Sequence, residues 1–170
     1  MCTGLLAEGG RRPVIIAPDH GNTDHEQWEA VSSERKSCEV LSKAPEYSVI
    51  LDAPSSVLRD AEPVSEDDCG DLPELATEIY TLGLCGGAGH GPFQIRKGIV
   101  STAEEGLICV SAFTFHTNSG GLVWEAASGK LVGTIQIAYT NKVKRDGEYL
   151  ETTEDLTGAA PVADWTQVIW

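Results

Sequence analysis

The chain has 170 residues, 41% of them hydrophobic, which is enough for one compact unit or for two small barrels packed together. Its 26 acidic and 12 basic residues give a net charge of −14. This charge argues against nucleic acid and against an anionic membrane surface as partners, because both bind clustered Lys and Arg. The five cysteines form no C-x-x-C pair, so no zinc ribbon is indicated, and no metal or organic cofactor is expected. Without a signal peptide or a membrane-length apolar run, an intracellular soluble domain is favoured.

Short apolar runs separated by turn residues predict an all-β fold. In the first third of the chain, such runs occupy residues 3–7, 14–17 and 47–51. Two further runs, residues 27–31 and 38–43, flank a polar stretch and could form a hairpin. Together these segments predict a meander of about five strands.

The acidic and irregular stretch after residue 57 is interpreted as a connection between two halves. The predicted division is residues 1–57, a linker at 58–76, and residues 77–170. The second half is expected to contain a further set of strands, at residues 77–84, 94–102, 107–113, 121–127 and 131–139. The acidic residues 148–155 are predicted to be a solvated loop. Residues 163–169 favour a short C-terminal helix, with a final strand as the alternative.

The segment 117–121 (TNSGG) combines a serine with two following glycines. A serine hydroxyl becomes a nucleophile when a base removes its proton and when backbone N–H groups stabilise the developing oxyanion. Glycines after the serine allow a tight turn and leave the side chain accessible to substrate. On these five residues alone, an ordinary β-turn is the competing interpretation.

The flanking segments resemble the trypsin-like serine peptidases, especially the disulfide-free HtrA (DegP-like) branch. Five segments follow the order of the family's motifs: residues 3–6 (TGLL), 14–21 (VIIAPDHG), 80–87 (YTLGLCGG), 97–101 (KGIVS) and 117–133 around the serine. The resemblance covers about residues 3–140. It implies two packed antiparallel β-barrels of the six-stranded type, the first lacking its first strand, and a short C-terminal helix.

The resemblance also implies a set of site residues. Ser119 takes the place of the nucleophile and His20 that of the general base, although His20 in isolation could be an ordinary loop histidine. Ser48 stands in the slot where the family has an orienting acid. The implied oxyanion hole and substrate pocket comprise Thr117, Asn118, Ala112, Phe113 and Gln136. The chain departs from the family at Ser48, which lacks a carboxylate, and at Thr117, where the family has glycine.

The implied function is a serine endopeptidase acting on a peptide or protein substrate. The alternative is a catalytically inactive, trypsin-like pseudoprotease that binds peptides or proteins, which the missing acid at Ser48 would favour. An unrelated all-β interaction domain is a third possibility.

Overall fold

The computed structural model describes residues 4–19, 28–31, 35–44, 48–84, 93–104, 106–112, 118–145 and 148–162. As predicted, the fold is all-β. Its strands are β1 (Leu5–Ala7), β2 (Val14–Pro18), β3 (Trp28–Val31), β4 (Arg35–Cys38), β5 (Val40–Ala44), β6 (Ser48–Asp52), β7 (Glu78–Leu84), β8 (Phe93–Glu104), β9 (Leu107–Val110), β10 (Leu122–Glu125), β11 (Leu131–Arg145) and β12 (Glu148–Pro161). One short helix, α1 (Ser55–Asp60), and a 3₁₀ turn (Glu66–Asp68) lie between β6 and β7. No helix in the described part of the chain is long and apolar enough to span a membrane.

The strands after residue 77 close into a barrel in the order β10-β11-β12-β9-β8-β7, and all pairs are antiparallel. Alternation along the strands explains how the barrel interior is filled, because every second side chain points inward. In β7, Ile79 and Thr81 are buried while Glu78 is exposed. The barrel core is filled mainly by β-branched side chains, which suit a pleated, buried surface: Ile79, Val100, Ile108, Val110, Val123, Val132 and Ile135.

The preceding strands form a four-stranded antiparallel sheet in the order β1-β2-β6-β5, called here the N-terminal sheet. Strands β3 and β4 pair separately as a hairpin. Within the described residues the N-terminal sheet is open, so a second closed barrel is not shown. All five residues of β2 are buried. On one face of the sheet Ile16 packs in a cluster with Leu131 of β11 and with Val162, the residue after β12, so the two sheets share a core.

The stretch between β6 and β7 binds to both sheets. Val64 forms two backbone hydrogen bonds beside β1, donating to Leu6 at 2.9 Å and accepting at 2.8 Å from Glu8, the residue after β1. Six residues later, the N–H of Gly70 donates to the carbonyl of Leu131 in β11 at 2.8 Å. The segment 64–70 is called here the strap. Its two ends therefore join the N-terminal sheet to the barrel. The division at residues 57 and 76 stays a prediction.

The hairpin of β11 and β12 extends beyond the rest of the barrel. Residues 148–155 belong to β12, so the prediction of a solvated loop there is wrong. The register explains the difference, because it pairs Lys142 with Glu151 and Arg145 with Glu148. Acidic residues are poor strand formers by local propensity, so a strand in this stretch depends on its pairing with β11. The predicted C-terminal helix at residues 163–169 lies outside the described residues.

Candidate active site

Ser119 lies in a turn that is fixed to strand β11. The N–H of Gly120 donates to the carbonyl of Ile135 at 2.7 Å, and the N–H of Ile135 donates to the carbonyl of Gly121 at 2.7 Å. A bond from the N–H of Gly121 to the carbonyl of Asn118, at 2.8 Å, closes the turn. Gly120 has a φ of 79°, which explains why glycine follows the serine. Backbone bonds on both sides of residue 120 thus hold Ser119 against the barrel.

Asn118 fixes the same turn to strand β7. Its side-chain amide donates to the carbonyl of Leu84 at 3.1 Å, and the residue is 5% exposed. The amide packs over Gly83, where a side chain would collide with it. The side chain of Asn118 therefore positions the turn. A role of its backbone N–H in an oxyanion hole stays a prediction, and Thr117 lies outside the described residues.

Ser48 and Gln136 meet at the junction between the N-terminal sheet and the barrel. The side-chain nitrogen Nε2 of Gln136 donates to Ser48 Oγ at 3.2 Å and to Thr134 Oγ1 at 3.3 Å. Both Ser48 and Gln136 are buried, at 1% and 5% exposure. The amide oxygen of Gln136, Oε1, has no hydrogen-bond partner among the residues that the structure describes. The slot expected to hold an acid therefore holds a hydroxyl in contact with a neutral amide.

The remaining predicted site residues are only partly described. Ala112 is buried, and its carbonyl accepts a hydrogen bond of 2.5 Å from the hydroxyl of Thr157. His20 and Phe113 lie outside the described residues. Asp19, which immediately precedes His20, forms an ion pair of 3.4 Å with Lys43. No group of three or more metal-binding side chains that could hold an ion occurs in the described ranges.

A chain of contacts links three of the predicted residues that are distant in sequence. The Ser119 turn is bonded to Ile135, and the next residue, Gln136, reaches Ser48. Ser48 is in turn the register partner of Pro18, the last residue of β2. Sequence reasoning missed two features: the contact between Gln136 and Ser48, and the anchoring of Asn118 on β7. Gly83 could have indicated the anchoring of Asn118, because a glycine leaves room for another chain segment to approach the backbone closely.

No protein-family model matches the chain, and no curated protein matches it. Among solved structures, the chain is similar to the serine endoprotease from Yersinia pestis, with a TM-score of 0.63 and 19% sequence identity. The fold is trypsin-like. The match covers 97% of this chain and 54% of the endoprotease, so this chain spans about half the length of that protein. Membership of the HtrA-like branch stays a prediction.

Proposed function

We propose that the protein is a serine endopeptidase in which Ser119 is the nucleophile and His20 the general base. One observation supports this most directly. The fold is shared with a serine endoprotease. Backbone hydrogen bonds join the Ser119 turn to Ile135 of β11. The side chain of the next residue, Gln136, donates a hydrogen bond to Ser48 in the N-terminal sheet. This chain of contacts supports a position of Ser119 near the junction of the two sheets and near the end of β2, the strand that leads to His20.

The reaction follows from the chemistry of these groups. His20 would accept the proton of Ser119 Oγ as that oxygen attacks the carbonyl carbon of the peptide bond. Backbone N–H groups from residues 117 to 119 would stabilise the negative oxygen of the tetrahedral intermediate. His20 would then donate the proton to the leaving amine, and water would hydrolyse the acyl-enzyme.

The substrate would be an extended peptide lying beside β11 at Gln136. Ala112 and Phe113 precede the Ser119 turn and would line the pocket for the residue before the cleaved bond. The missing carboxylate at Ser48 predicts slow turnover, because removing the orienting acid of a trypsin-type triad costs about 10⁴ in kcat. Ser119 is therefore expected to react readily only with activated reagents.

Labelling with a fluorophosphonate probe tests the proposal. We expect the wild-type protein to be labelled, Ser119→Ala to lose all labelling, and His20→Ala to react more slowly by about 100-fold or more, which is the lower end of what a positioned base contributes. Ser128→Ala is the matched control. Ser128 lies on the exposed turn after β10, where its hydroxyl donates to the carboxylate of Glu125, so labelling should not change. If the folded wild-type protein is not labelled, the endopeptidase is excluded, and the peptide-binding pseudoprotease becomes the better description.

A further inference from the structure

The outer side of strands β7 and β8 carries a group of exposed apolar side chains. On β8, Phe93 is 62% exposed, Ile95 64% and Ile99 44%. Nine large hydrophobic side chains are exposed in the described part of the chain, and no element other than β8 carries three of them. The register places Leu84 of β7 beside Phe93 and Leu82 beside Ile95, and both leucines are half-buried. Contiguous exposed apolar residues of this kind commonly mark a binding surface.

Two aromatic residues extend this surface across to β10. Trp124 of β10 is the register partner of Tyr80 on β7, and their ring centroids lie 6.2 Å apart. Both are half-buried, and half-exposed aromatic side chains are typical of protein interfaces. The surface is called here the outer barrel face. Its apolar members are Tyr80, Leu82, Leu84, Phe93, Ile95, Ile99 and Trp124.

The charged groups of the outer barrel face cancel each other. Lys97 Nζ lies 2.8 Å from Glu78 Oε1, and both side chains are more than half exposed. The chain as a whole has a net charge of −14, so two copies repel each other on average. That repulsion is weakest where a face carries no net charge. A basic partner, by contrast, would be attracted to acidic surface and not to this neutral face.

We propose that the outer barrel face binds the same face of a second copy of this chain, in a two-fold symmetric dimer. Such a dimer requires a surface that is complementary to itself. The outer barrel face meets this condition, because its apolar side chains can pack against each other and because it carries one cation and one anion. In the dimer, Lys97 of each copy would lie close to Glu78 of the other.

The barrel allows contact through this face but not through the edges of its strands. In the closed barrel, β7 is paired with β8 and β10, and β8 is paired with β7 and β9. A further chain therefore cannot pair with either strand through backbone hydrogen bonds. It can only pack its side chains on the outer barrel face, as two sheets do when they stack.

The exposed area indicates a weak and reversible dimer. The exposed parts of the three β8 side chains amount to roughly 300 Å² of apolar surface per copy, a patch size that is often functional on a monomer. A standard interface buries about 800 Å² on each partner, and the half-buried residues supply only part of the difference. We therefore expect a dissociation constant on the order of 10–100 µM.

Sedimentation equilibrium of the full chain measures this association, at about 1 to 300 µM protein to span the expected Kd and in about 0.15 M salt to screen the net charge. We expect the wild-type protein to fit a monomer–dimer equilibrium and Ile95→Ser to raise the Kd by about tenfold or more. Leu75→Ser is the matched control, because Leu75 is 65% exposed but lies outside the outer barrel face, before β7. Its Kd should equal that of the wild type.

A charge exchange tests whether the occupant is a second copy. Lys97→Glu leaves two carboxylates on the face, and Glu78→Lys leaves two ammonium groups. Each variant alone should dimerise more weakly than the wild type, because like charges then meet. An equimolar mixture should form a mixed dimer, since the two altered faces are complementary. Both variants lose the same ion pair, so each is the structural control for the other. Fluorescence-detected sedimentation of one labelled variant with the other, unlabelled, measures the mixed dimer.

Three results would overturn the inference: a wild-type protein that stays monomeric at the highest concentration, an equal effect of Ile95→Ser and Leu75→Ser, or a mixture that associates no more tightly than either charge variant alone. A monomeric wild type would assign the face to an occupant other than a second copy. None of these measurements involves Ser119, so their outcome is independent of the proposed endopeptidase activity.

Discussion

The side-chain amide of Asn118 donates to the carbonyl of Leu84 at 3.1 Å, directly over the Cα of Gly83. A Cβ on residue 83 would lie 2.8 Å from Cγ and 2.9 Å from Cβ of Asn118. Real Cβ atoms do not approach other carbons so closely. The turn that carries Ser119 therefore depends on the absence of a side chain on a neighbouring strand.

Gly83→Ala should displace Asn118 and break its bond to Leu84. Overpacking of this kind costs about 1–3 kcal/mol in the free energy of unfolding. A double-mutant cycle with Asn118→Ala checks the cause, because removing the amide removes the contacts with Nδ2 and Cγ and leaves only the approach to Cβ of residue 118. We expect the double variant to be more stable, by about 1 kcal/mol or more, than the sum of the single variants predicts. Additive losses in urea denaturation would refute the contact as the cause.

Gly120→Ala should impair both folding and the reactivity of Ser119. Its φ of 79° is left-handed, which costs a residue with a side chain about 1–2 kcal/mol. Gly129→Ala is a matched control, because Gly129 has a φ of 70° and open space around the site of a Cβ. Both variants should lose similar stability, but only Gly120→Ala should slow fluorophosphonate labelling. Equal labelling by the two variants would mean that the turn does not position Ser119.

Ser48→Asp should raise the labelling rate of Ser119, by tenfold or more, since the full triad effect is about 10⁴. The new carboxylate would accept from Nε2 of Gln136 and stabilise protonated His20, at a cost in stability because Ser48 is buried. Ser48→Asn, similar in size but uncharged, should not raise the rate. An unchanged rate in folded Ser48→Asp would show that residue 48 is not the slot of the orienting acid.

The thiol of Cys69, in the strap, should resist alkylation. Burial, reinforced by the carboxylates of Asp68 and Glu66, raises its pKa from the ordinary 9.0 to about 11. At pH 8 the thiolate fraction should therefore fall about 100-fold, and with it the rate of reaction with iodoacetamide. Peptide mass spectrometry of folded and urea-unfolded protein measures the ratio. A rate profile that rises near pH 9 in the folded protein would contradict the raised pKa.

The raised pKa of Cys69 also determines how the free energy of unfolding changes with pH. The folded state holds the thiol proton more tightly than the unfolded chain does. Its contribution to stability is therefore complete below pH 9 and is lost as the pH rises through about 11. Cys69→Ala should flatten this part of the stability profile, as measured by chemical denaturation between pH 8 and 11.

Much of the fold could be predicted because its signals are local. The alternation in β7, with Ile79 and Thr81 inward, can be recognised from seven residues of sequence. The extended hairpin could not, because residues 148–155 are rich in acidic residues, which are poor strand formers, and they form a strand by pairing with β11. That pairing depends on register, which propensity alone does not specify.

In the candidate site too, local features could be predicted from the sequence and long-range contacts could not. Ser119 could be located from sequence, because two glycines and the flanking motifs mark the turn. The contact between Ser48 and Gln136 joins residues 88 positions apart in two different sheets. Neither residue belongs to a recognisable pattern with the other, so the contact follows only from the packing of the sheets.

The strap has a consequence for how copies of this protein meet in solution. An uncovered strand at the border of a sheet offers its free N–H and C=O groups to any other extended chain, and this is a common route to aggregation. Val64 occupies those groups on β1, at Leu6 and Glu8. A foreign strand could add there only by displacing the protein's own connecting segment, so the link between the two sheets also protects this edge of the N-terminal sheet from strand addition.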